Sequence, residues 1–421
     1  MPKTSRSNPP SKQDASNQGI AHRGEEVLVG NYAPQPIALV RGEGAYVFDA
    51  EDNRFLDLMG GIATATLGHA NPKLRAALSA QAEKLWHVSN LYTTEPQIGL
   101  AERITEHSFA EAVYFCNSGA EANEAALKLA RRHHHDQGAK SGEERFEIIA
   151  FDGAFHGRTL FTVSATGTPA YWKGFEPLVP GIHHVPWGDL DAVQEKLSVK
   201  TAAIIVEPIQ GEGGIRLPPP GFLKGLRALA DANGCLLIFD EVQVGMGRTG
   251  TLFAHEQEDV VPDVMTLAKA LGGGIPIGAM CTTRALSKAL VPGTHASTFG
   301  GNPLACAVAC AVFDELIAGN VLDHAKSMGE RLGQGLADIA AELGPGKVLE
   351  ARGRGLLRGL ALPGAPGPVI DACRERGVLV ISAGGNVLRL APPLTISAEE
   401  IDEGLAVLRT VLAEVDLGAS V

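Results

Sequence analysis

Two hydrophobic rhythms alternate along this chain. Short, unbroken apolar runs occur at AVYFC (112–116), EIIAF (147–151), AAIIV (202–206), CLLIF (235–239) and VMTLA (264–268), most of them closed by polar residues and a glycine-rich turn. Runs of four to eight apolar residues between turn formers read as strands buried on both faces. Between and before them lie segments with apolar residues at helical spacing: PKLRAALSAQAEKLW, EPQIGLAERITEHS, EANEAALKLARR and GFLKGLRALADANG. Pro72 suits a first helical turn, and Asn233-Gly234 stops the last of these helices. Strand and helix in alternation predict an α/β protein with a doubly wound, mainly parallel sheet. In such sheets ligands sit at the carboxyl ends of the strands. Three runs deliver an ionisable residue there: Glu207, Asp240 (followed by Glu241) and Lys269.

Outside this block the rhythm changes. From Val27 to Met59 the segment IALVRGEGAYVFDAEDNRFLDL reads as three strands, with turns at Gly42–Gly44 and Glu51–Asn53. The Ala- and Cys-rich run from Pro303 lacks charge over its first turns and predicts a buried helix. At about residue 320 the charge pattern shifts, and an amphipathic helix leads into RGRGLLRGLAL and GVLVISAGGNVLRLAPPL, both strand-like. Ser397 and Glu400 form a capping box for the last helix. The expected organisation is a disordered tail over residues 1–24, an N-terminal segment (25–75) joining a smaller α+β domain, a large ligand-binding domain (76–320), and the small domain proper (321–421).

Composition narrows the classes. The 421 residues carry a formal net charge of −12, which argues against nucleic acid and anionic membrane surfaces as partners. No apolar run approaches the roughly 18 residues of a membrane span. Residues 1–24 are polar and lack the apolar stretch of a secretory signal. The six cysteines have neither disulfide-frame nor zinc spacing, so they read as reduced core residues of a cytoplasmic protein. His133, His134 and His135 point in different directions on a helix and read as its solvated end.

The candidate chemistry centres on Asp240 and Lys269. A lysine beside apolar sequence loses its proton more readily and becomes a nucleophile. An aldehyde cofactor such as pyridoxal phosphate needs that amine, together with a carboxylate at its ring nitrogen. A plain ion pair, or two residues that never meet, would account for the same pattern. Further needs would be met by Asn117-Ser118-Gly119-Ala120, where a helix begins after a strand and can cradle a phosphate; by Phe155, an aromatic able to stack on a planar ring; and by Arg158 and Arg389, which can bind carboxylates. Tyr32 and Thr298 lie in polar loops.

Taken in order, NSGAEAN, FHGRT, VEPIQGEGG, FDEVQ, TLAKALGGG, STFGGNP and LRLAPP resemble the class III pyridoxal-phosphate aminotransferases of fold type I, over about residues 27–415. GGIATATLGHANP, LWHVSNLYTTEP and GMGRTG are similar to its acetylornithine/succinylornithine branch. The resemblance implies a large domain with a mainly parallel, seven-stranded sheet, plus a smaller α+β domain. It implies that Lys269 is the catalytic lysine holding pyridoxal 5'-phosphate, with Asp240 at the ring nitrogen, Val242 and Phe155 on the two ring faces and Gln243 at the ring hydroxyl. Ser118, Gly119 and Ala120 would take the phosphate, completed by Thr298 from a second copy, so a homodimer with shared active sites is implied. Ala120 stands where many relatives carry Thr, which removes one hydroxyl. For substrates, Tyr32 and Arg158 would hold the distal carboxylate and Arg389 the α-carboxylate of glutamate, with Glu207 as the switch that neutralises Arg389. The implied reaction moves the terminal amine of N2-acetyl-L-ornithine to 2-oxoglutarate. Succinylornithine, ornithine and 4-aminobutyrate are alternative donors, and an aminomutase is an alternative class.

Overall fold

The computed structural model describes residues 15–141 and 144–418. Fifteen strands among these residues, numbered in chain order, form three sheets. The first is the expected meander, β1 (Leu39–Glu43), β2 (Tyr46–Asp49) and β3 (Arg54–Asp57), joined in parallel by β13 (Val378–Leu379) from far along the chain. The second has seven strands: β4 (Ala112–Cys116), β5 (Glu147–Phe151), β6 (Ile182–Val185), β7 (Thr201–Val206), β8 (Leu236–Asp240), β9 (Val264–Leu267) and β10 (Gly278–Thr282). Their spatial order is β4-β10-β9-β8-β7-β5-β6. The five strands from β9 to β6 run parallel, and β10 is antiparallel to both its neighbours.

The buried runs explain why this sheet is covered on both faces. Successive residues of a strand point to opposite sides. Ile205 and Ile238 pack with Leu127 and Ala130 of the helix Gly119–Ser141. Ile204, Leu237 and Phe239 pack with Phe222 and Leu226 of the helix Phe222–Asn233 on the other side. That second helix ends where expected, with Gly234 in a left-handed conformation (φ 61°). A doubly wound sheet therefore places the carboxyl ends of β7, β8 and β9 side by side.

The third sheet, in the order β11-β12-β15-β14, comprises β11 (Glu350–Arg354), β12 (Leu357–Ala361), β14 (Ile381–Ala383) and β15 (Val387–Leu390). Arg389 lies on β15, opposite Gly359 and Ile381. The helices Val321–Leu343 and Ala398–Glu414 share its apolar core. Ser397 and Glu400 do close the capping box. One clamp joins this sheet to the large one. Arg248 is buried, and its guanidinium donates to the Leu356 and Pro392 carbonyls, while the Leu356 N–H donates to the Arg248 carbonyl.

Two expectations need correction. The tail expected to be disordered over residues 1–24 is helical from Asn17, in a helix running to Val27; residues 1–14 lie outside the described residues. Ser16 caps this helix, and buried Asn17 donates to Asp49 at 2.8 Å, which anchors the helix despite its polar sequence. The histidine run is not a solvated helix end either. The helix continues to Ser141, and His134 is buried with Nε2 3.0 Å from the Ala202 carbonyl.

Candidate active site

A cavity of about 380 Å³ opens at the carboxyl ends of β7, β8 and β9. Its lining includes ten of the residues singled out above: Ser118, Gly119, Ala120, Phe155, Arg158, Glu207, Asp240, Val242, Gln243 and Lys269. They come from segments more than 150 residues apart and meet because parallel strands expose the same ends to one crevice.

Asp240 is the most tightly held of them. It is 3% exposed, and its Oδ2 accepts from Asn123 Nδ2 at 2.7 Å and from His156 Nδ1 at 2.8 Å. Its Oδ1 accepts from the Val242 N–H at 3.0 Å. Asn123 is itself fixed, donating to the His156 carbonyl at 2.8 Å and accepting from Thr266 Oγ1 at 2.7 Å. Because the carboxylate accepts at Nδ1, the proton of a neutral His156 sits there, and Nε2 is buried with no hydrogen-bond partner among the described residues. The sequence alone does not mark Asn123, His156 and Thr266 for this role. Their only local signal was the polar character of Asn123 on an otherwise Ala- and Leu-rich helix face, and of His156 in a glycine-punctuated loop.

Lys269 follows β9 with a left-handed backbone (φ 39°), a strained conformation for a residue with a Cβ. Its ammonium makes no hydrogen bond or ion pair with any described residue. Burial lowers its pKa below the ordinary lysine value, opposed by the Glu212 charge and assisted by Arg389. Glu207 moves the other way: burial, then the nearby Asp240 charge, pushes its carboxyl well above the usual range, against donation from the Phe155 and Gly211 N–H groups at 3.2 and 3.3 Å.

The helix starting at Gly119 begins at the cavity wall, and its first N–H groups have no intrahelical acceptor. Gly119 is required by the close approach of β8's following turn: a Cβ there would lie 2.7 Å from Val242 Cγ1. The Ser118 hydroxyl donates to Glu121 Oε2 at 3.1 Å and accepts from its N–H at 3.2 Å. At the outer rim, exposed Arg158 lies over the Tyr171 ring, 3.8 Å from its centroid.

Three singled-out residues stand outside the cavity lining. Tyr32 is 83% exposed. Thr298 is exposed and lines a separate surface cleft with His87, Asn90 and Tyr92. Arg389 is 2% exposed and reaches Glu212 and Gln243, which do line the cavity. Its Nη1 is 2.5 Å from Glu212 Oε1 and 3.2 Å from Gln243 Oε1. The carboxylate that Arg389 meets is thus Glu212, not Glu207. The resemblance implies Glu207 in this role, but an antiparallel bridge between Gln210 and Arg216 folds the loop after Glu207 back and aims Glu212 at Arg389. Burial alone would raise the Glu212 carboxyl, but the Arg389 guanidinium outweighs this and holds it below its ordinary value.

Known proteins are similar to this chain along most of its length. The family model for aminotransferase class III matches residues 29–412. An acetylornithine aminotransferase of Myxococcus xanthus is 50% identical over 389 residues, 92% of this chain and 96% of that protein. A Pseudomonas aeruginosa protein described as succinylornithine transaminase/acetylornithine aminotransferase is 48% identical over 398 residues, 94% of this chain and 97% of that one. Among solved structures, an ornithine aminotransferase of Toxoplasma gondii, described with partial occupancy of PLP at its active site, superposes with a TM-score of 0.90 at 32% identity, covering 96% of this chain and 98% of that one.

Proposed function

Because the chain belongs to the class III aminotransferases, enzymes that work with pyridoxal 5'-phosphate, we propose that it transfers the terminal amine of N2-acetyl-L-ornithine to 2-oxoglutarate, giving N-acetyl-L-glutamate 5-semialdehyde and L-glutamate. The carrying observation is that Lys269 and Asp240 leave adjacent parallel strands into one cavity, one with an unpaired amine and the other with a carboxylate held by three N–H donors.

The residues fit the cofactor. The cavity volume suits a small phosphorylated ring. The free N–H groups at Gly119 and Ala120, beside Ser118, suit a phosphate, and Ala120 adds no hydroxyl. Phe155 and Val242 would flank the ring, Gln243 would meet its hydroxyl, and Asp240 its nitrogen. When bound, pyridoxal phosphate supplies an aldehyde for amines and an electron sink. Lys269 Nζ, its proton already loosened by burial, would hold that aldehyde and would also serve as the base that takes a proton from the amine-bearing carbon of the substrate. Arg158 would hold the substrate carboxylate farther from the reacting amine, and Tyr32, though exposed here, would assist in the assembled enzyme.

Both half-reactions must share this site. Glutamate brings two carboxylates, whereas acetylornithine brings one carboxylate and a terminal amine. Arg389 would take the α-carboxylate of glutamate. In the acetylornithine half-reaction it would be left as a buried, unpaired cation, and the 2.5 Å pair with Glu212 supports that residue as its stand-in partner. The assembly would be a homodimer, with Thr298 of the partner subunit reaching the phosphate. Exposed Trp86, Leu91, Tyr92 and Phe299 around the Thr298 cleft support that interface. All six cysteines are free, in keeping with a cytoplasmic setting.

The test is a single-turnover absorbance measurement. The cofactor-loaded enzyme is mixed in turn with N2-acetyl-L-ornithine, N2-succinyl-L-ornithine, L-ornithine and 4-aminobutyrate. The acetyl compound is expected to bleach the visible band far faster than ornithine; equal rates with all four would refute the assignment. The relative carrying both names makes succinylornithine the second reading, which a faster succinyl reaction would favour.

A further inference from the structure

We infer that Tyr171 is the positioning residue that keeps Arg158 ready for a substrate carboxylate, an inference that rests on the carboxylate-binding role proposed above for Arg158. Arg158 is exposed on a loop and makes no hydrogen bond or ion pair with any described residue. A long, exposed, unpaired arginine would ordinarily sample many rotamers, and a substrate would have to order it on binding. Here its guanidinium instead lies 3.8 Å from the centroid of the Tyr171 ring and 5.5 Å from that of Phe155. Attraction of a cation to an aromatic face holds it from one side only. A protein carboxylate could hold it too, but would occupy the N–H fork and cancel the charge. An aromatic platform leaves both for the ligand.

The platform is itself fixed. Tyr171 closes a short 3₁₀ turn, Pro169–Tyr171, with its N–H donating to the Thr168 carbonyl at 2.9 Å. The next residue, Trp172, donates from its indole to the Val163 and Thr166 carbonyls at 3.0 and 2.8 Å. Val163 belongs to the helix Leu160–Ala165, which begins two residues after Arg158. The ring and the arginine therefore ride on one tied unit. Tyr171 also meets Phe155 edge to face, with centroids 6.0 Å apart. One ring thus ties the carboxylate anchor to a wall of the cavity. The tyrosine hydroxyl has no hydrogen-bond partner among the described residues, so the ring and not the hydroxyl carries the role.

The test compares Tyr171→Phe with 3,4,5-trifluorophenylalanine at the same position, since fluorination drains the ring face of charge with little change in shape. Both are made in the wild-type and Arg158→Ala backgrounds of the cofactor-loaded enzyme. Tyr171→Phe is expected to match wild type. The fluorinated ring is expected to raise KM for N2-acetyl-L-ornithine by roughly three- to tenfold, with kcat nearly unchanged. In the Arg158→Ala background the two rings are expected to be indistinguishable. Equal KM for both rings with Arg158 present, or the same loss with Arg158 absent, would overturn the inference. If Arg158→Ala itself leaves KM unaltered, the proposed role of Arg158 falls, and that of Tyr171 with it.

Discussion

Replacing Glu212 by Gln tests how one site serves two different amino donors. The substitution keeps shape and removes one negative charge from the pair with Arg389. Arg389 is 2% exposed, its Nε has no hydrogen-bond partner among the described residues, and its Nη1 also meets Gln243 Oε1 at 3.2 Å. Leaving a buried cation uncompensated costs ~3–5 kcal/mol when burial is complete. The Glu212 side chain is 28% exposed, so water reaches part of the pair and the cost is smaller. A value of about 1.5–3 kcal/mol corresponds to a factor of roughly 10–150 in a rate or equilibrium constant. The cost falls on the half-reaction in which no substrate carboxylate reaches Arg389, that with acetylornithine. Glutamate brings its own carboxylate, so its half-reaction loses little or gains. The assay follows each half-reaction separately by single-turnover absorbance, and the ratio of the two kcat/KM values is the readout. Glu212→Gln should shift that ratio toward glutamate by the stated factor. Glu207→Gln, which removes a carboxyl bonded to backbone N–H groups instead of to Arg389, should leave the ratio within about threefold. An unshifted ratio in Glu212→Gln, or the shift appearing in Glu207→Gln, would refute the reasoning.

Three further outcomes follow from particular contacts. Asn123→Leu removes one charge-assisted hydrogen bond to Asp240 and strands Thr266 Oγ1; it should lower unfolding free energy by about 1.5–3 kcal/mol in urea and weaken cofactor retention on dialysis. Glu207 has a folded-state pKa raised above its ordinary value of 4.5, so the folded chain holds a proton that the unfolded chain releases. The stability of wild type relative to Glu207→Gln should therefore fall as pH rises from about 4.5 through the raised value and level off beyond it, as followed by urea unfolding across pH; a relative stability that rises over that window would contradict the assignment. Ser397→Ala removes the side-chain acceptor 3.2 Å from the Glu400 N–H at the last helix, and should cost ~1 kcal/mol without altering the half-reaction rates.

How far the sequence could be read follows from where each contact is made. Glu207, Asp240 and Lys269 were legible because a buried parallel strand advertises itself as an apolar run, and its first polar residue must emerge at the strand's carboxyl end. Ser118, Gly119 and Ala120 were legible as cavity lining for the same reason, as a strand followed by Ser, Gly and a helix. Asn123 and His156 were not, since each reaches Asp240 across 117 and 84 residues of chain and only the assembled sheet brings them together. The exchange of Glu207 for Glu212 has the same origin: Glu212 lies in the glycine-rich loop after Glu207, and the backbone bridge that folds this loop decides which carboxylate faces Arg389. The helix Asn17–Val27 is not evident in the sequence because it carries few apolar residues; it is held by the Ser16 cap, by the buried bond of Asn17 to Asp49 and by the bond that Asn17 accepts from the Ala38 N–H. Residues that close a strand can be read one at a time. Those that orient another side chain cannot, because their partner is chosen by tertiary packing. The same logic explains Tyr171: nothing in PAYW marks an aromatic platform, and its meaning appears only once a charged neighbour without a partner is found lying on it.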